Sequence, residues 1–287
     1  MLFKTLLLAL MVQAEPELID APFNTLRSTD YGGSFNPDET WLYFSHIPAD
    51  TGRRQVFRAP VLAYGLGEAE PVFAGGAPVM GSDVHISPDG TRMWFKTRLN
   101  TGPLSERNDG NIYVSHRVGE TWSTPRPLGP EVNSSGEEFY PVETSSGDLY
   151  FSRQDGDGDY DIFIARRTIN GFAEAVRLPA PVNSEFIDTD AYIAPDQSYL
   201  LFVRMFAPDG LGWSDLYISY PDDDGWTEPR PIGPHYNWAG IDGSPSMGRD
   251  GRTMIFTSNR RAASPDERGG TLDLYQVEFD PDAWRED

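Results

Sequence analysis

The chain has 287 residues, with 44 acidic against 23 basic side chains, a formal charge of −21 and no cysteine. A field of that sign repels nucleic-acid phosphates and anionic membrane surfaces. The missing thiols exclude disulfides, thiolate metal sites, cysteine nucleophiles and lipidation at an N-terminal cysteine.

In chain order the first predicted element is an export signal. Lys4 supplies a positive start, residues 6–12 form a short apolar run, and Val12-Gln13-Ala14 is a small-x-small cleavage site. The run is too short to span a bilayer, so cleavage after Ala14 is expected. That leaves a single domain over 15–287, without membrane insertion, in the periplasm or outside the cell.

Next comes a lone strand over residues 15–24, in which Pro16 precedes Asn24 by eight positions. The same spacing links Pro125 to Asn133, Ala175 to Asn183 and Pro229 to Asn237, each on the last strand of a repeat. The first repeat keeps Glu70-Pro71 but has Val79 where the Asn is expected. Five repeats follow the lone strand, marked by Leu42-Tyr43-Phe44, Met93-Trp94-Phe95, Leu149-Tyr150-Phe151, Leu200-Leu201-Phe202 and Met254-Ile255-Phe256. A period near fifty built from short β-type runs signals a propeller or array. Before each triplet stands a turn, Asn36-Pro37-Asp38, Ser87-Pro88-Asp89, Ala194-Pro195-Asp196 or Gly248-Arg249-Asp250, with Ser145-Ser146-Gly147 in the third repeat. After each comes a second apolar pair, Val56-Phe57, Ile112-Tyr113, Ile162-Phe163, Leu216-Tyr217 and Leu274-Tyr275. The fifth repeat ends after this third strand, and the lone N-terminal strand supplies the missing one. The predicted fold is all-β: a five-bladed β-propeller of four-stranded blades, closed by the N-terminal strand joining the last blade, which removes the open edge of a linear array. Residues 262–270 read as a long polar loop.

The units Ile86-Ser87-Pro88-Asp89-Gly90, Phe151-Ser152-Arg153, Asp161-Ile162-Phe163 and Trp226-Thr227-Glu228-Pro229 with Asn237 resemble the TolB-like, WD-repeat-like propeller family over nearly the whole mature chain. Better-known members of that family have six blades and carry appended domains, which this chain is not expected to have. The resemblance implies an exported binding or docking module that acts without cofactor, on an envelope or secreted protein or on a small polar ligand such as a glycan. A monomer is expected.

Alignment on the turn Asp brings Asp30, Glu138, Asp188 and Asp242 to one position, with Gly81 in the second repeat; Asp83 and Asp190 lie two residues later. His46, Arg98, Arg153, Arg204 and Arg260 follow the second strands. Both sets fall at one end of adjacent antiparallel strands. They either pair with each other and tie the blades together, or line a polar channel mouth that binds ligand. The enzymatic alternative resembles the five-bladed arabinanase-like glycosidases and uses Asp30, Asp83 and Glu138 as its carboxylates. Asp155, Asp157 and Asp159 alternate along a turn and suit a hard cation such as calcium, or form a solvated turn. His46, His85, His116 and His235 show no metal-ligand spacing, and no nucleophile elbow or phosphate loop is present. Trp213 and Trp238, in loops, are candidates for ligand contact.

Overall fold

The second strand of every repeat is buried on both faces, which is why it reads as a continuous apolar run rather than an alternation. Leu42, Phe44, Met93, Phe95, Leu149, Phe151, Leu200, Phe202, Met254 and Phe256 are fully enclosed there. The computed structural model describes residues 15–285 except 26–27, 64, 99–109, 156–158, 224, 263 and 265–270. The expected leader, Asp157 and most of the 262–270 loop lie outside the described residues.

The described chain is an all-β propeller whose one helical element is a 3₁₀ turn at Pro281–Trp284. Four sheets have four strands each. Ser28–Phe35 pairs with Trp41–Pro48, then Gln55–Pro60 and Glu70–Pro71. Glu138–Glu143, Leu149–Asp155, Asp159–Ala165 and Val176–Arg177 form another. A third contains Ile187–Ile193, Leu200–Met205, Ser214–Ser219 and Arg230–Pro231. The fourth joins Asp242–Met247, Thr253–Ser258 and Asp273–Glu278 to the N-terminal Glu17–Leu18. A larger sheet holds Ser82–Ile86, Arg92–Thr97 and Asn111–Val118, with Arg126–Pro127 paired to the last of these. It is extended by the Phe73–Ala74 and Ala77–Pro78 hairpin and by Thr121–Trp122.

The first strands pack side by side in the order Ser28–Phe35, Ser82–Ile86, Glu138–Glu143, Ile187–Ile193, Asp242–Met247, and the last lies against the first. These are the inner strands around a central channel. Apolar layers fill the spaces between sheets: Leu42 and Phe44 meet Ile255 and Leu274, while Trp94 and Ile112 meet Phe151 and Phe163.

The N-terminal strand closes the last sheet as its spacing predicts, with Glu17 opposite Gln276 and Leu18 opposite Tyr275. Asn24 fastens it by donating to the carbonyls of Ile19 and Leu274 and accepting from Leu274 N–H. Asn133 and Asn183 make the same three bonds, to Leu128 and Ile112 and to Leu178 and Ile162, and Asn237 exchanges two of them with Leu216. In the first repeat the chain does this with its backbone: Val56 N–H donates to the Val79 carbonyl at 2.9 Å. At the turns, Asp38, Asp89, Asp196 and Asp250 accept N–H bonds from residues two further on. No helix among the described residues is long and apolar enough to cross a membrane.

Candidate functional site

The carboxylates at the starts of four inner strands are wholly buried, and each is held by the basic side chain its repeat supplies. His46 Nδ1 lies 2.5 Å from Asp30, Arg153 3.1 Å from Glu138, Arg204 2.7 Å from Asp188 and Arg260 2.9 Å from Asp242. The other arm of Arg153 reaches the Val132 carbonyl and that of Arg204 the carbonyls of Pro181 and Val182, while the Arg260 nitrogen on Asp242 also reaches the Tyr236 carbonyl. Loop N–H groups of Ser134, Ser184 and Trp238 donate to the three carboxylates of the later repeats. Each guanidinium also lies over aromatic rings of its own sheet, such as Phe163 under Arg153 and Tyr275 under Arg260. Burial raises Asp30, Glu138 and Asp188 above the usual carboxylate range against the pull of their hydrogen-bond partners, and takes Asp242 to about 6. The arrangement is a latch that ties an inner strand to its neighbour and to the incoming loop. Glu138 Oε2 alone among these oxygens meets no partner.

The second repeat lacks the latch for a steric reason. A Cβ at Gly81 would overlap the carbonyl oxygen of Lys96. Arg98 accordingly points to another carboxylate, 3.3 Å from Glu137, which Lys96 also holds at 2.6 Å.

Asp83 and Asp190 are placed differently. Each inner strand carries a bulge, and the residue in it has positive φ: Gly32, Asp83, Tyr140, Asp190 and Ser244, between 47° and 64°. Side-chain hydroxyls of the preceding sheet hold three of them: Gly32 N–H donates to Thr257, Asp83 N–H to Ser45 and Asp190 N–H to Ser152. Ser244 Oγ donates to Asp190 at 2.8 Å, and Ser82 Oγ to Asp83 at 3.0 Å. The Tyr140 hydroxyl crosses from the third inner strand to the fifth and donates to the Pro245 carbonyl at 2.8 Å. Burial raises Asp83, against the lowering charge of Lys96; burial and then the charge of Asp83 push Asp190 up to about 7. Burial and the same two carboxylates hold the Tyr140 hydroxyl well above its ordinary value. Neither Asp83 nor Asp190 makes an ion pair among the described residues.

The structure thus separates residues that the sequence placed together. Asp30, Glu138, Asp188, Asp242, His46, Arg153, Arg204 and Arg260 form the latches, Arg98 stands apart and is 60% exposed, and Asp83 and Asp190 share the bulge level with Tyr140 and Ser244. Asp155 and Asp159 are register partners on adjacent strands, and Asp159 is exposed. Among the described residues no group of three or more histidines and carboxylates is arranged to hold a metal. Trp213 packs edge-on against Phe206, and Trp238 Nε1 donates to Asn259 at 3.1 Å. Tyr140 was not legible as a site residue, since nothing in its repeat marks a side chain that spans the channel. A cavity of about 580 Å³ at the opposite end, among the Pro-Asp turns, was also missed; those turns read only as connections.

No family model matches the chain, and no curated protein matches its sequence. Solved structures do match its fold. The catalytic domain of a GH62 α-L-arabinofuranosidase from Coprinopsis cinerea superposes with a TM-score of 0.60 at 10% identity, over 93% of this chain and 97% of that one. An endo-arabinase from Bacteroides thetaiotaomicron gives 0.55 at 16% identity, over 92% and 98%. A TolB-like protein from Agrobacterium tumefaciens gives 0.55 at 16%, over 87% and 82%. The likeness is one of fold alone. It supports a propeller shared by TolB-like proteins and glycoside hydrolases.

Proposed function

We propose that the chain is an exported, five-bladed, TolB-like propeller that acts as a non-catalytic binding or interaction module. The blade count rests on the inner strands, which come round to the first after the fifth, with the larger sheet contributing the second blade. The ligand or partner reaches the channel from the end where the inner strands start, and Asp83 and Asp190 make its polar contacts, with Arg98 at the rim. The partner is an envelope or secreted protein or a small polar ligand such as a glycan, and no cofactor takes part. One observation carries this reading: the repeated carboxylates are consumed by latches, whereas among the described residues no cation pairs with Asp83 or Asp190. Thermal unfolding against a panel of oligosaccharides and envelope peptides tests it, because a ligand of the folded state raises apparent stability by mass action. The Asp83→Asn, Asp190→Asn double variant should fold and lose the ligand-dependent rise; a rise that survives the double substitution contradicts the reading.

A second reading is a glycoside hydrolase, since two of the matched structures are an endo-arabinase and an α-L-arabinofuranosidase. Asp30 and Glu138 are enclosed by their latches, so the acid and base in that case would be Asp83 and Asp190, the latter shifted to about 7. Release of reducing ends from arabinan and arabinoxylan decides between the two. The binding reading expects none; hydrolysis that disappears in Asp190→Asn would replace it.

A further inference from the structure

The cavity among the Pro-Asp turns has a wall of a different character from the carboxylate end. None of the latch residues, and neither Asp83 nor Asp190, lines it. Its volume of about 580 Å³ falls in the range of small-molecule sites. Ser34, His85, Tyr192 and Ser246 stand at equivalent places on four inner strands, two residues past the bulge, and all four line the cavity.

Two of these polar groups are already satisfied. Ser34 Oγ accepts Ile86 N–H at 3.0 Å, and Tyr192 is bonded to Tyr199. The other two are not. Ser246 is 8% exposed, and its Oγ meets no partner. His85 bonds the main chain at Glu143, and its Nε2 meets none. Burial holds His85 down to about 4, so its ring is neutral near pH 7. With one nitrogen donating to the Glu143 carbonyl, Nε2 is left as an acceptor. Unpaired polar groups in a buried wall are costly and call for a partner.

The carboxylates in the wall are already engaged. Glu143 is held by Arg92 Nε at 2.9 Å and by Trp94 Nε1 at 2.8 Å, and Asp196 accepts Ser198 N–H. Arg249 is exposed at the rim. Phe35, Pro88, Pro195 and Met247 supply apolar surface between the polar groups. An occupant therefore needs hydroxyl groups, apolar C–H faces and no net charge. We propose that this cavity is a second binding site, for a small uncharged polyhydroxyl molecule such as a sugar or sugar alcohol.

Saturation-transfer NMR followed by calorimetric titration of the full chain with glucose, arabinose, N-acetylglucosamine and myo-inositol tests this, with glucose 6-phosphate as the charged comparison. At least one uncharged probe should bind. Ser246→Ala and His85→Leu should each weaken it about tenfold, the worth of one hydrogen bond, while His85→Gln, which keeps an acceptor, recovers much of the loss. Asp83→Asn should leave it unchanged, which separates this site from the channel end. If His85→Leu does not fold, Ser246→Ala carries the test. Absence of binding by all four probes, affinity indifferent to Ser246→Ala, loss in Asp83→Asn, or tighter binding of glucose 6-phosphate would each overturn the proposal.

Discussion

A buried carboxylate in this ring has one of two fates, set by what its repeat places beside it. Asp188, with Arg204 at 2.7 Å and Ser184 N–H at 2.8 Å, is compensated on several sides. Removing the cation strands a buried charge, so Arg204→Ala should cost about 3–5 kcal/mol in denaturant unfolding. Asp190 has a hydroxyl partner but no cation. Its folded pKa, about 7, lies above the unfolded value near 3.8, so between those values the folded state holds the extra proton. Its contribution to stability therefore falls as pH rises from about 4 to about 7 and is level above that. Asp190→Asn should gain stability relative to wild type at pH 7.5 compared with pH 4.5, as read by unfolding midpoints at the two pH values; an equal difference at both contradicts the assignment.

At the scale of elements, the recurring features were legible where a side chain does the work. The turn Asp residues and Asn24, Asn133, Asn183 and Asn237 announced themselves by spacing, because each uses a side-chain carbonyl or carboxylate to satisfy the same backbone groups. Asn183→Ala leaves Ile162 N–H and the carbonyls of Ile162 and Leu178 short of a partner, and should cost about 1–3 kcal/mol, measured by denaturant unfolding. What the backbone does was not legible. The Val79 carbonyl replaces an Asn without any sequence mark. The bulges hold Gly, Asp, Tyr, Asp and Ser, which share a conformation but no chemistry, so Asp190 could not be told from the latch carboxylate Asp188 two residues before it, nor Asp83 from the latch carboxylates of the other repeats. Gly81 gave the opposite signal: it read as a lapse in the carboxylate pattern, whereas the Lys96 carbonyl leaves no room for a side chain. Restoring the pattern with Gly81→Asp should therefore lower the thermal midpoint instead of adding a fifth latch.

For the whole molecule, the propeller and the N-terminal strand in its last sheet followed from the repeat period and from the Pro16-to-Asn24 spacing. The division of labour around the channel did not, because it depends on which carboxylate meets which cation in three dimensions. In the proposed function the latches build the wall, and Asp83 and Asp190 meet the ligand. The most direct measurement is the affinity of the folded fraction for the best binder of the panel, in wild type, in the Asp83→Asn, Asp190→Asn double variant and in Asp188→Asn. The double variant should fold and lose affinity, whereas Asp188→Asn should lose stability while its remaining folded protein binds as wild type does. Lost affinity in folded Asp188→Asn, with none lost in the double variant, would contradict it.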